Sequence, residues 1–153
     1  MPILPHVHLL TLSIDVDFAR VAMIGKTPAG LRRIAQVTGG SFTGDRLQGT
    51  VLPGSDWVIH RPDGVMLIDV RLLLKADGGE LIYLTYQGRF LAEAEALAKF
   101  SAGGQLDPSE YSLAMVAKFE CGAERLHWLN NVIAVGSGQQ TPTGAVYSIF
   151  EIS

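Results

Sequence analysis

From Asp56 to Gln87, apolar and polar residues alternate with the period of two of an extended strand, in three runs: Asp56 to His60, Val65 to Lys75 and Glu80 to Gln87. The separators, Arg61-Pro62-Asp63-Gly64 and Asp77-Gly78-Gly79, are turn chemistry, because proline fixes φ and glycine accepts positive φ at little steric cost. Three runs joined this way predict an antiparallel meander whose register is set by its turns. If Arg61 stands opposite Gly64 and Ala76 opposite Gly79, one face carries Asp56, His60, Asp69, Arg71 and Tyr86 among aliphatic neighbours. The other carries Trp57, Ile59, Ile68, Val70, Leu72 and Tyr83 and is nearly all apolar.

The same reading extends along the chain. Val7 to Asp15, Phe18 to Ile24 and Leu31 to Thr38 read as strands, the last with Arg32 and Arg33 on opposite faces. The run Gly39-Gly40-Ser41-Phe42-Thr43-Gly44, followed by Gly49 and Gly54, marks bulges and sharp bends of the kind that turn a barrel corner. Phe90 to Phe100 is rich in helix formers and is stopped by Gly103-Gly104, which predicts one helix, a lid or a flank. Tyr111 to Glu120 alternates again, Trp128 to Asn131 leads into a strand at Val132 to Gly136, Gly138 to Gly144 reads as a loop, and Ala145 to Ile152 is a last strand. The prediction is an all-β chain: a single domain over residues 1–153, a closed or nearly closed antiparallel meander barrel of about eight strands with one short helix. At eight strands the interior is either packed or holds one small ligand.

Composition narrows the function classes. A chain of 153 residues suffices for one domain that buries about 70% of its unfolded surface. Charged residues are only 18% against 48% hydrophobic, leaving apolar surface that a homo-oligomer, dimer or higher, would cover. A net charge of −3 supplies no basic stripe, which argues against nucleic acid as a partner. The N-terminus lacks the basic stretch and apolar run of a signal peptide and no apolar run reaches the ~20 residues of a membrane span, so the expected compartment is the cytoplasm, with no membrane partner.

Several segments together resemble a known family: Gly30-Leu31-Arg32-Arg33, Gly39 to Gly44, Leu52-Pro53-Gly54-Ser55-Asp56-Trp57, Arg61-Pro62-Asp63-Gly64, Asp69-Val70-Arg71, Asp77-Gly78, Phe119-Glu120, Trp128-Leu129-Asn130 and Gly136-Ser137-Gly138. In this order, from about Leu10 to Ile152, they resemble domain of unknown function family 3237. The resemblance implies a barrel similar to that of allene oxide cyclase, in oligomers, and no particular activity. One departure is Tyr111-Ser112-Leu113-Ala114-Met115, where family members often carry an aromatic and an arginine.

Candidate chemistry concentrates on the polar face. Arg71 would hold a carboxylate or enolate oxygen, Asp69 or Asp56 would take a proton and Tyr86 would donate. The structural alternative is a buried ion pair with a tyrosine hydrogen bond, since buried charges are almost always paired. Asp56, Trp57, Trp128 and Asn130 are candidate ligand contacts; against this, Asp56 is placed to cap the preceding turn and Trp128 to pack. His6 and His8 are spaced i, i+2 but lack the further ligands a zinc site needs, so no metal is expected. Cys121 has no basic neighbour to activate it. No serine elbow, P-loop or dinucleotide fingerprint is present, and no cofactor is expected. The expectation is a barrel binding a small carboxylate or carbonyl ligand in its lumen. Two alternatives stand beside it: a cofactor-independent isomerase, cyclase or lyase in the same lumen, and a structural oligomer joined through Trp57, Ile59, Ile68, Val70 and Leu72.

Overall fold

A computed structural model describes residues 1–153. Nine antiparallel strands form one sheet: β1 His6–Thr27, β2 Gly30–Thr43, β3 Gln48–Val51, β4 Gly54–His60, β5 Met66–Ala76, β6 Leu81–Ala92, β7 Tyr111–Cys121, β8 Ala134–Thr141 and β9 Gly144–Ile152. The sheet closes on itself, because β1 pairs with both β9 and β2. β3 and β4 are two halves of one stave, both lying between β2 and β5. The break between them falls at Leu52-Pro53, where proline has no N–H to give the ladder. The barrel is therefore eight-staved, with the buried aliphatic and aromatic side chains of every stave filling it.

The two central hairpins have three-residue loops. The Arg61 N–H donates to the Val65 carbonyl and the Gly64 N–H to the Arg61 carbonyl; Ala76, Gly79 and Glu80 repeat the pattern. Gly64 and Gly79 sit at φ +89° and +91°, as a type I turn followed by a left-handed bulge glycine requires. Arg61 thus faces Val65 and Ala76 faces Glu80, one residue beyond the pairing expected from sequence, and a one-residue slip turns a strand over. Both hairpins slip, so β5 alone is reversed relative to its neighbours. Ile68, Val70, Leu72 and Leu74 point into the core, which removes three of the five residues expected at an oligomer interface.

Four further segments differ from expectation. β1 is one strand through Thr27, kept continuous past Asp17 by an irregularity in which Phe18 to Val21 bulge out between Asp17↔Gln36 and Ala22↔Ile34. Phe90 to Ala92 finish β6, and the helix α1 is only Ala94–Ser101. Trp128 to Asn131 are not extended but belong to a 3-10 segment, Glu124–Asn131. Residues 138–141 are strand rather than loop.

Each barrel end is covered differently. At the lower end Leu126 and Leu129 of the 3-10 segment are buried, and the Asn130 amide ties that segment to β7. Its Oδ1 accepts from the Cys121 N–H (3.0 Å) and its Nδ2 donates to the Cys121 carbonyl (2.8 Å). At the upper end α1 lies beside Phe90, whose ring stacks on Tyr111 and meets Phe100 of the helix, with centroids 5.1 and 5.4 Å away. No helix is long and apolar enough to cross a membrane.

Candidate functional site

Residues directly paired across antiparallel strands share a face. One inward row therefore runs Ala35, Asp56, Val70, Tyr86, Ala117 across β2, β4, β5, β6 and β7. Toward the upper end the inward positions are Arg33 beside Val58, then Leu31, His60, Met66 and Phe90. Asp56 and Tyr86 flank Val70, roughly 10 Å apart at their backbones by the strand spacing. Tyr147 approaches from β9, paired with Leu12 and Gly138, and its ring centroid lies 5.2 Å from that of Tyr86. Gly138 makes room for it, since a Cβ there would stand 2.6 Å from the Tyr147 ring.

The polar groups of this face are unevenly satisfied. The Asp69 backbone N–H donates to Asp56 Oδ1 at 3.1 Å, where the β4–β5 ladder skips from Asp56↔Val70 to Ile59↔Leu67. Arg33 Nε–H donates to His60 Nε2 at 2.8 Å, and its Nη2 approaches the Met66 sulfur at 3.4 Å. His60 must accept on Nε2, so it is the neutral tautomer with its proton on Nδ1. Arg33 takes part in none of the ion pairs of the fold. The Tyr86 hydroxyl is buried and makes no hydrogen bond of good geometry; only the Tyr147 hydroxyl comes near enough to interact with it, an arrangement rare enough to need a reason.

Burial governs the protonation of these groups. Asp56 is raised to about 6, first by desolvation; the Asp69 N–H and the Arg33 charge pull the other way without cancelling it, and Asp69 adds to the rise. His60 is lowered, by burial and then by the charge of Arg33. Burial also lowers Arg33 and lifts both tyrosines, which stay protonated donors. Near neutrality the site offers one guanidinium, two phenols and a carboxyl that exchanges its proton within the ordinary pH range. Asp56 is only partly buried, so solvent reaches it.

Of the seven residues singled out in the sequence, only Asp56 and Tyr86 meet here. Asp69 and Arg71 lie on the outer face with β5's other odd positions, Arg71 exposed, because of the hairpin slip. Tyr86 stands opposite Val70, not Asp69. Trp57 is on the outer face and 44% exposed. Trp128 is at the lower end with the Arg46 guanidinium 3.9 Å from its ring centroid, and the Asn130 amide is spent on backbone. Asp56 does cap backbone, though that of the neighbouring strand rather than of its own turn.

Arg33, His60 and Tyr147 complete the site; the sequence pattern puts His60 on the face of Asp56 and Tyr86 without a role, and does not single out Arg33 or Tyr147. The signal for Arg33 was its alternation with Ala35 and Val37, both buried. What was lacking was the β2–β4 pairing, which no local turn specifies. His6 and His8 flank the Phe150 ring at 5.6 Å each, and no three His, Cys, Asp or Glu residues converge as metal ligands. Two surface clefts, of about 210 and 340 Å³, lie near Arg46 and Arg125 and near Asp63 and Tyr111, and neither is lined by Asp56 or Arg33.

Comparison with known proteins places the chain among related barrels. A β-barrel-like protein of Acinetobacter baumannii, known from its crystal structure, is 35% identical with a TM-score of 0.85, over 100% of this chain and 98% of its own. A conserved protein of unknown function from Rhodopseudomonas palustris superimposes with a TM-score of 0.93 at 26% identity, over 100% of both chains. A UPF0311 protein of Bradyrhizobium diazoefficiens is 28% identical over 141 residues, 92% of each chain. The family described as protein of unknown function (DUF3237) matches residues 5–152, nearly the whole barrel, and the chain belongs to that family.

Proposed function

We propose that the upper lumen binds a small organic ligand with a carboxylate or carbonyl group, held by Arg33 and met by Asp56, Tyr86 and Tyr147. The observation that carries this reading is the spare donor capacity on one inward face: a guanidinium that is in no ion pair and whose Nη1 makes no hydrogen bond, and a buried phenol approached only by Tyr147. A buried phenol without an acceptor lowers stability, and a guanidinium without a counter-charge leaves donor positions open. An acceptor-bearing ligand satisfies them.

A thermal-shift screen against small carboxylic acids, enones and aromatic acids tests it. A ligand at a hundred times its Kd adds about 2.7 kcal/mol of stability. Wild type and Arg71→Met, whose side chain is outside, are expected to shift alike, while folded Arg33→Met is not. A shift retained in Arg33→Met, or lost in Arg71→Met, contradicts the assignment.

A second reading is favoured by one feature, a carboxyl near 6 beside two phenols held protonated. That combination suits a proton-transfer enzyme without cofactor, an isomerase, cyclase or lyase. Ionised Asp56 would take a proton next to a carbonyl and a tyrosine would donate to the developing oxyanion. On this reading Asp56→Asn removes turnover and leaves binding. Assembly into homo-oligomers in the cytoplasm is part of the same proposal; exposed Trp57, Leu73, Leu81 and Tyr83 on the outer face supply apolar surface for it.

A further inference from the structure

β9 ends its pairing with β1 at Asp15↔Gly144, and beyond it β1 runs on along β2, itself still paired with β4, as the free edge of an arm that ends at the turn Thr27↔Gly30. The arm carries the lumen face outward. Met23 pairs with Arg33, and Leu31 with His60, so both apolar side chains share the face on which Arg33 and His60 stand. Met23 is 58% exposed and Leu31 38%. Met66 continues the same strip from β5, with its sulfur against Arg33. A cation in no ion pair thus sits beside the exposed side chains of Met23 and Leu31 and the partly buried Met66, beyond the end of β9.

Resting on the binding reading above, we propose that the ligand is an amphiphilic carboxylate, its anionic head at Arg33 and its apolar body laid along Met23 and Leu31. Charge complementarity selects the head: Arg33 Nε is committed to His60, and Nη1 makes no hydrogen bond within the fold. Continuity with the site selects the body, because the apolar strip begins where the polar face ends. Two rows of side chains on a strand span about 7 Å, enough for five or six methylenes.

The test is a series of straight-chain carboxylates from butyrate to decanoate, each below its micelle concentration, with affinity read by calorimetry and by thermal shift. In wild type the Kd is expected to fall roughly fourfold for each methylene covered by the strip. In Met23→Ser and Leu31→Ser the fall is expected to shrink below twofold per methylene while butyrate binds as before. Arg33→Met is expected to lose all lengths. Met23→Gln and Leu31→Gln repeat the test should a serine variant fail to fold. If acids bind but their length makes no difference, or the dependence survives both substitutions, this inference is overturned and the head-group site stands. If no acid of any length binds, the inference is overturned, and the binding reading falls with it only where the screen of enones and aromatic acids is also blank. A drop in light-scattering mass in the serine variants, with length dependence intact, makes the arm an interface between copies and also overturns it.

Discussion

Asp56→Asn is expected to raise stability at pH 8 by up to about 3 kcal/mol and to leave it nearly unchanged at pH 4. A carboxyl at about 6 in the fold against 3.8 unfolded costs about 3 kcal/mol when ionised. The sign follows from proton binding. Between these two values the native state holds the proton more tightly than the unfolded chain, so wild-type stability falls as pH rises from about 4 to about 6 and is flat above. Asparagine keeps an oxygen for the Asp69 N–H and removes the titration. For a chain of this size the gain corresponds to roughly 6 to 12 °C in Tm. Urea unfolding at both pH values checks it; destabilisation at pH 8 would mean that the ionised carboxylate is satisfied by Arg33. A residue that lowers stability where it stands, on an accessible inward face, is what a site retained for binding or chemistry looks like.

The second large effect concerns closure. Gly40→Ala is expected to cost roughly 3 to 5 kcal/mol, and Gly39→Ala less than about 1. Gly40 stands at φ +150°, opposite Ile14, where a Cβ would run into the Ser13 carbonyl of the strand that closes the ring. Its neighbour Gly39 has no such φ and meets only the Val51 carbonyl at 3.5 Å, ordinary contact. Denaturant midpoints of the two variants separate the requirement for glycine at one position from a preference for small residues along the run. Equal costs would remove the seam from the account.

Much of the barrel is legible in the chain. Period-two alternation locates most strands, and the glycine run marks the seam between β1 and β2, because only glycine lets the two backbones cross so closely. The register across β5 does not follow from alternation alone, because the turn residues of Pro62-Asp63-Gly64 and Asp77-Gly78-Gly79 suit two-residue turns as well as the three-residue loops they form. A glycine in the third loop position is the signature of the three-residue hairpin, and reading it so turns Val70 inward and Arg71 outward. The two slips cancel between β4 and β6, which is why Asp56 and Tyr86 remain on one face. Arg33 and Tyr147 reach the site through β2–β4 and β8–β9 pairings, and the first of these skips a strand in the sequence. Local patterns fix neither which stave a strand joins nor what stands across the lumen.

The most direct test of the site is the titration of Asp56 itself, followed by carbon NMR of its carboxyl with Asp56→Asn as the assignment control. A midpoint close to 6, well above that of an exposed aspartate, is the result expected of a desolvated carboxyl that Arg33 does not neutralise. A midpoint at or below about 4 would mean an ordinary or ion-paired carboxylate. The lumen would then be a satisfied structural core and not a site awaiting a ligand.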